Sequence, residues 1–312
     1  MPKNEWDDFS DVGNFAADKF VAESPDMPPV AITESIVSEP EKNDGFVCTV
    51  RIDDNHTGVT IGKSSVIGKR AYQQDAIITD DDYVYSERKI AVAILCDGMG
   101  GLSGGEQASQ ICAAALYQEL HHLTMKDNIP AAFHNIVPML DRDVCSLCDE
   151  AGNPLKAGTT MVGAMIVNGG LYWVSVGDSH AYILRNNQLV CITKEHNLMM
   201  LLRQKVDRGD MTEAEAQSHP QKEALISYIG MGGVKYIDMN QKPLPLQHND
   251  YVIICSDGLY RTVSDREISQ IVTSFGADVQ SAADALTEAA MAKGKKHQDN
   301  TSVIVMLYQQ SG

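Results

Sequence analysis

Ile90-Ala91-Val92-Ala93-Ile94-Leu95-Cys96-Asp97-Gly98-Met99-Gly100-Gly101 joins a continuous apolar run to an aspartate and three glycines. An apolar run with β-branched residues follows Lys89 and stops at an aspartate and glycines, the pattern of a short buried strand. A carboxylate at such a strand's end sits where core meets solvent, and the glycine beside it lets backbone approach a ligand closely. The competing reading is that strands end in Asp-Gly simply to turn.

Working outward, the pattern recurs. Residues 171–176 run into Gly177-Asp178, residues 251–256 run into Asp257-Gly258, and Asp299-Asn300 leads into the apolar run 301–307. Asp75 stands in the same way before Ala76-Ile77-Ile78. Strand ends along one edge of a sandwich converge, so these carboxylates can share a site. Crowded carboxylates raise one another's pKa unless a cation lies among them. Oxygen ligands without His or Cys select a hard ion, Mg²⁺ or Mn²⁺ rather than Zn²⁺. Two such ions bridged by one carboxylate can hold a water that attacks phosphorus in line. Arg70, five residues before Asp75, is a candidate phosphate partner, because guanidinium matches phosphate oxygens two at a time. A solvated surface arginine is the plainer alternative.

The rest of the sequence narrows the possibilities. A chain of 312 residues fits one large domain or two ordinary ones, and 44% hydrophobic with 21% charged residues is ordinary for a soluble globular protein. No apolar run approaches the ~20 residues of a membrane span, and the N-terminus, Met1 to Asp8, lacks the basic-then-apolar order of a signal peptide. A cytoplasmic location is expected, with no membrane partner. Net charge is −17, and residues 1–45 hold eleven acids against three lysines, a net of −8 that leaves −9 for the remainder. Both parts repel nucleic acid, which binds through Lys and Arg. The seven cysteines are scattered, and the lone Cys145-x-x-Cys148 has neither a second pair nor nearby His spacing, so reduced structural thiols are expected over zinc or redox chemistry.

Residues 1–45, rich in Pro, Asp, Glu and Ser, read as a disordered acidic tail in which Phe9, Phe15 and Phe20 are the docking candidates. The remainder, 46–312, reads as one domain. Short strands are expected at 46–52, 58–67, 76–79, 83–85 and 90–96, with the acidic turn Asp80-Asp81-Asp82 between two of them. Ala108, Ile111, Cys112, Ala115, Leu116, Leu120 and Leu123 recur every three or four residues and form an amphipathic helix. A second helix covers 131–148, disturbed by Pro138. Residues 159–167 and 171–176 pair around Asn168-Gly169-Gly170, and 181–184 with 189–192 around Asn186-Asn187. A polar, helix-like insert spans about 193–239, with a capping box at Thr212 and Glu215; Ser264 and Glu267 open another helix in the same way, and 282–292 is a further one. Hairpins throughout, with helices in pairs, predict an α+β fold. Two mainly antiparallel sheets pack face to face with helices outside, an αββα sandwich.

Six motifs now stand in order: Gly68-x-Arg70-x-x-Gln73-Gln74-Asp75, Asp97-Gly98-Met99-Gly100-Gly101, Ala157-Gly158-Thr159-Thr160, Val176-Gly177-Asp178-Ser179, Ser256-Asp257-Gly258-Leu259 and Asp299-Asn300-x-Ser302. Together, over roughly residues 58–308, they resemble the bacterial type of the metal-dependent Ser/Thr protein phosphatases, the PPM or type 2C family. The resemblance implies hydrolysis of phosphoserine and phosphothreonine in proteins by metal-activated water, without a covalent phosphoenzyme. It implies two Mn²⁺ or Mg²⁺ ions: Asp97 bridging both, Gly98 offering its carbonyl to one, Asp257 and Asp299 holding the other. Asp178 with Asp257 matches a third ion's position, Arg70 would hold the phosphate, and Asp75 and Gln74, the latter through water, stand at the edge of the metal shell. The insert at 193–239 matches the flap beside the active site. A phosphorylated protein, a Ser/Thr kinase counterpart and a monomeric state are the implied partners and assembly.

Three departures from the family's pattern, at four positions, stand out. Gln74 stands where Glu is common; it adds no charge and implies weaker binding of one ion. Met99 and Leu102 stand where relatives carry His, so protonation of the leaving oxygen falls to water. Gly-Asp-Ser-His180 replaces the common Gly-Asp-Ser-Arg, and His180 reads as a satisfied sheet histidine rather than an acid; His196, at the flap entry, reads as structural. A catalytically weak or inactive relative that binds a phosphoprotein or another partner is the alternative, and a structural metal-binding module is a third reading that would need neither Arg70 nor the flap.

Overall fold

The run at 90–97 folds as expected, and its two faces explain its composition. In the computed structural model, which describes residues 58–85, 88–99, 104–123 and 128–310, β1 is Val59–Val66, β2 Asp75–Tyr85 and β3 Arg88–Asp97. Helices α1 (Gly105–His122) and α2 (Ile129–Cys145) follow. Ile90, Val92, Ile94 and Cys96 of β3 pack with Ala108, Cys112 and Leu116 of α1 and Phe133, Val137 and Leu140 of α2. The alternate residues Ala91, Ala93 and Leu95 are fully buried as well. Successive side chains of a strand point to opposite faces, so these three face the opposing sheet. A strand covered on both sides has no place for a polar residue, hence the unbroken apolar run. Burying Leu95 alone contributes about 1.5–3 kcal/mol.

The chain continues through β4 (Met161–Val167), β5 (Gly170–Val176), β6 (His180–Arg185) and β7 (Gln188–Cys191). The β4–β5 turn carries Asn168 and Gly169 at φ 50° and 73°, and the β6–β7 turn carries Asn186 and Asn187 at φ 50° and 64°. Two consecutive positive φ values make the tight hairpin turn that Asn and Gly tolerate best. The insert holds α3 (Leu198–Asp207) and α4 (Glu213–Ser218), the latter with the expected capping box, then the two-residue strands β8 (Asp238–Met239) and β9 (Leu244–Pro245). The chain closes with β10 (Asp250–Cys255), α5 (Asp257–Tyr260), α6 (Asp265–Phe275), α7 (Val279–Ala292) and β11 (Thr301–Tyr308).

Two antiparallel sheets result, in strand orders β1-β11-β10-β6-β7 and β2-β3-β4-β5-β8, with β9 also on β5. Helices α1 and α2 cover the second sheet. Helices α6 and α7 cover the first, against Ile253, Cys255, Val303 and Val305. The αββα sandwich expected from the sequence is the fold.

Four expectations need correction. The acidic segment at 80–82 is not a turn between two strands. It lies within β2 as a bulge, where pairing with β3 shifts between Asp80 and Tyr83, and an extra residue there bends the strand without ending it. The second helix starts at Ile129, capped by the Asn128 side chain on Ala131 N, and ends at Cys145 rather than 148, with Pro138 accommodated inside it. Strand β4 starts at Met161, and Thr159 makes only isolated bridges, to Gly98 and Ile229. Helix α7 begins three residues before the predicted start at 282, capped by Asp278. The expected tail 1–45, its three phenylalanines, the strand at 46–52 and Leu102 lie outside the described residues.

Candidate metal and phosphate site

The site forms at one end of the sandwich because strand pairing brings carboxylates from both sheets to the same edge. Asp75 opens β2 and Asp97 ends β3, and the two are direct cross-strand partners. Asp178 follows β5, Asp257 is the first residue of α5 after β10, and Asp299 stands two residues before β11. Each of the five lies where a strand meets its loop.

Asp97 is held by backbone on both sides. Its N–H donates to Thr160 Oγ1 at 3.0 Å, while its carbonyl accepts from Thr160 N at 2.8 Å and Thr159 Oγ1 at 2.9 Å. Thr160 Oγ1 in turn lies 2.7 Å from Ser179 Oγ, beside Asp178. The Gly158-Thr159-Thr160 motif therefore fixes the backbone of Asp97 and ties it to Ser179, the neighbour of Asp178. Gly98 N donates to the Gln74 carbonyl at 3.0 Å, and a Cβ on Gly98 would lie 2.2 Å from Gly105 O. Only glycine lets α1 start this close to the strand end.

The first sheet's side is tied by hydroxyl and amide groups. Ser256 Oγ donates to Asp75 Oδ2 at 2.8 Å and accepts from Ser302 N at 3.0 Å, linking one sheet to the other. Asn300 accepts from Gln74 N at 2.9 Å through Oδ1 and donates to the carbonyls of Ile67 and Tyr72. It thereby fastens the loop that carries Arg70. Arg70 Nη2 lies 2.5 Å from Asp299 Oδ2, and Asn300 N donates to Asp299 Oδ1 at 2.9 Å. A Cβ on Gly258, after Asp257, would meet Asn300 O at 2.0 Å.

These carboxylates destabilise one another's charge. Burial, then Asp75 and Asp257, hold Asp97 well above the usual carboxylate range. Burial with Asp178, Asp299 and Asp75 raises Asp257 to about 7. Burial, despite bonds from Ser302 and Ser256, raises Asp75 to about 6, and burial raises Asp178 against the pull of Arg261. Among the described residues, none donates a hydrogen bond to the buried Asp75 Oδ1. An all-oxygen set, charge-strained and holding one orphaned acceptor, suits a hard divalent cation. Among the described residues no three such side chains close on one point; arginines and hydroxyls engage them separately.

Gln74 is tied in by its backbone, while its amide lies against the start of α1: a Cβ on Gly105 would sit 2.5 Å from Gln74 Nε2. Met99 covers Gly158. His180 is satisfied as expected, with Nδ1 2.6 Å from Tyr182 Oη, Nε2 2.9 Å from Glu195 Oε1, and its ring stacked on Tyr260. His196 accepts from Gly177 N at 3.1 Å; burial and Lys194 push it down to about 4, so it stays neutral and holds the turn before Asp178.

Two residues escaped the sequence reading. Asp141 of α2 accepts from the N–H groups of Gly230 and Gly233, each at 2.7 Å, and anchors the insert's glycine turn. Arg261 reaches Asp178, Asp257 and, from the insert, Glu223. Its only sequence signal was the four-residue spacing from Asp257.

The protein phosphatase 2C family model matches residues 64–296. The serine/threonine phosphatase stp of Listeria monocytogenes is 27% identical over 186 residues, 59% of this chain and 72% of that protein. The serine/threonine phosphatase structure from S. agalactiae superposes with a TM-score of 0.68 at 26% identity, covering 81% of this chain and all of that one. The catalytic domain of the serine/threonine protein phosphatase PstP, in complex with two manganese ions, gives 0.61 at 28% identity over 81% of this chain and 99% of that one. With its sandwich, its order of motifs and a family match over most of its length, this chain belongs to the protein phosphatase 2C family of enzymes.

Proposed function

We propose that this serine/threonine protein phosphatase of the protein phosphatase 2C family depends on Mn²⁺ or Mg²⁺ held by Asp97, the Gly98 carbonyl, Asp257 and Asp299. Asp75 adds charge from behind Asp97, and Gln74 contributes at most through water. The observation that carries the reading is the group of mutually strained carboxylates with a donorless Asp75 Oδ1. Bound divalent ions supply Lewis acidity and make water nucleophilic near neutral pH.

The chain's own residues set up the rest. Both oxygens of Asp299 are engaged, by Arg70 and by Asn300 N, so a cation held by Asp299 would compete with Arg70 for that carboxylate. The freed guanidinium, fixed at the base of its loop by Asn300, then takes two oxygens of the substrate phosphate. Arg70 is thus a counter-ion before substrate binds and a phosphate ligand afterwards. Phosphorylated proteins are the substrates, the counterpart is a Ser/Thr kinase, and the enzyme acts as a cytoplasmic monomer. Among the described residues no helix is long and apolar enough to cross a membrane.

An aryl phosphate and a phosphothreonine peptide test this directly. Both should be hydrolysed with added Mn²⁺, lose hydrolysis with chelator and regain it on readdition. Hydrolysis indifferent to chelation would remove the metal mechanism. Failure of both substrates at saturating Mn²⁺ would favour the inactive, partner-binding relative that Gln74 suggests.

A further inference from the structure

We propose that Arg261 is a tethered cation standing in for a third metal ion at the Asp178–Asp257 pair, so that this chain operates with two ions. The inference rests on the two-ion reading above. Arg261 caps the short helix α5 that Asp257 opens, four residues along, and its Nε lies 3.0 Å from Asp257 Oδ2. Its Nη2 lies 3.1 Å from Asp178 Oδ2. One guanidinium therefore spans the two carboxylates between which a third ion would sit. It uses Oδ2 of each, which leaves Oδ1 of Asp257 as a ligand for the binuclear pair.

Three further contacts hold it there. Nη1 pairs with Glu223 of the insert, the Tyr260 ring lies 5.6 Å from the guanidinium carbon, and the Arg261 carbonyl accepts from Lys295 Nζ. A guanidinium remains charged at any working pH, and a covalently attached cation gives up no translational freedom on binding, unlike a free ion. Asp178 is buried, so a loose ion would have to displace a charge already paired with it. The pairing with Glu223 also joins the insert to the same carboxylates. Arg261 is in this sense a positioning residue, acting on Asp178 and Asp257 and not on substrate.

Counting bound Mn²⁺ tests it, by the loss of the free-ion EPR signal as ion is added to the full chain, with circular dichroism confirming the fold of each variant. Wild type should saturate at two ions. Arg261→Ala should take up a third, weaker one, and Arg261→Ala with Asp178→Asn should return to two. Arg261→Lys keeps the charge but cannot span both carboxylates, and should expose the third site in part. A wild type that binds three ions, or an Arg261→Ala that still binds two, overturns the proposal while leaving the two-ion reading intact. A wild type that binds none overturns both.

Discussion

Asp257→Asn should make the metal-free protein more stable while destroying its activity. In the unfolded chain this carboxyl ionises near its ordinary value of 3.8; folded, burial and the neighbouring aspartates hold it at about 7. Between those values the folded state keeps a proton that the unfolded state gives up, so stability falls as pH rises. The penalty is absent below the unfolded value and complete above the folded one. At 1.36 kcal/mol per tenfold change it amounts to about 2 kcal/mol at pH 5 and about 4 kcal/mol at pH 8. An asparagine carries no such penalty. Urea unfolding of chelator-treated wild type and variant at pH 5 and pH 8 should show the variant's advantage widening by roughly 2–3 kcal/mol across that interval. Saturating Mn²⁺ should reverse the order, since binding to the folded state stabilises wild type by mass action and the variant lacks a proposed ligand. A variant no more stable than wild type at pH 8 without metal would show that Asp257 carries no such charge penalty.

Two other outcomes follow from the geometry. Arg70→Ala should raise KM for a phosphopeptide by about tenfold or more, the loss of a charge-assisted pair worth about 1.5–3 kcal/mol, and should lower the Mn²⁺ needed for half activity by removing the competitor at Asp299; steady-state kinetics across Mn²⁺ concentrations separates the two effects, and an unchanged KM would move phosphate binding elsewhere. Gln74→Glu should also lower the half-saturating Mn²⁺ concentration, and no change would take Gln74 out of the metal environment, leaving its amide as packing against the start of α1.

Much of the fold was legible because burial writes itself into composition. Strand β3 stood out since both its faces are covered, and the β4–β5 and β6–β7 hairpins were marked by Asn168-Gly169 and Asn186-Asn187, whose backbones adopt positive φ. The capping boxes at Thr212 and Ser264 formed as read. What was misread is non-local or too short to carry a period. The bulge in β2 hides behind three aspartates that resemble a turn, and α5 has four residues, one turn. The aspartates were visible as strand ends, but their arginine partners were only half visible. Arg70 could be flagged by its motif; its pairing with Asp299, 229 positions away, and the threefold pairing of Arg261 depend on chain closure.

The Asp75–Ser256 hydrogen bond has a wider consequence. Asp75, Asp97 and Asp178 hang from one sheet, Asp257 and Asp299 from the other, so the gap between the two sets of carboxylates is a function of how far apart the sheets stand. That separation is set by the girth of the side chains between them, Ala91, Ala93 and Leu95 on β3 against the inward faces of β10 and β11. Mg²⁺ demands near-ideal octahedral geometry at about 2.0–2.1 Å, and metal sites in general tolerate errors of only about 0.2 Å. Under the two-ion reading, ion preference would therefore depend on core volume at positions that never touch the ion.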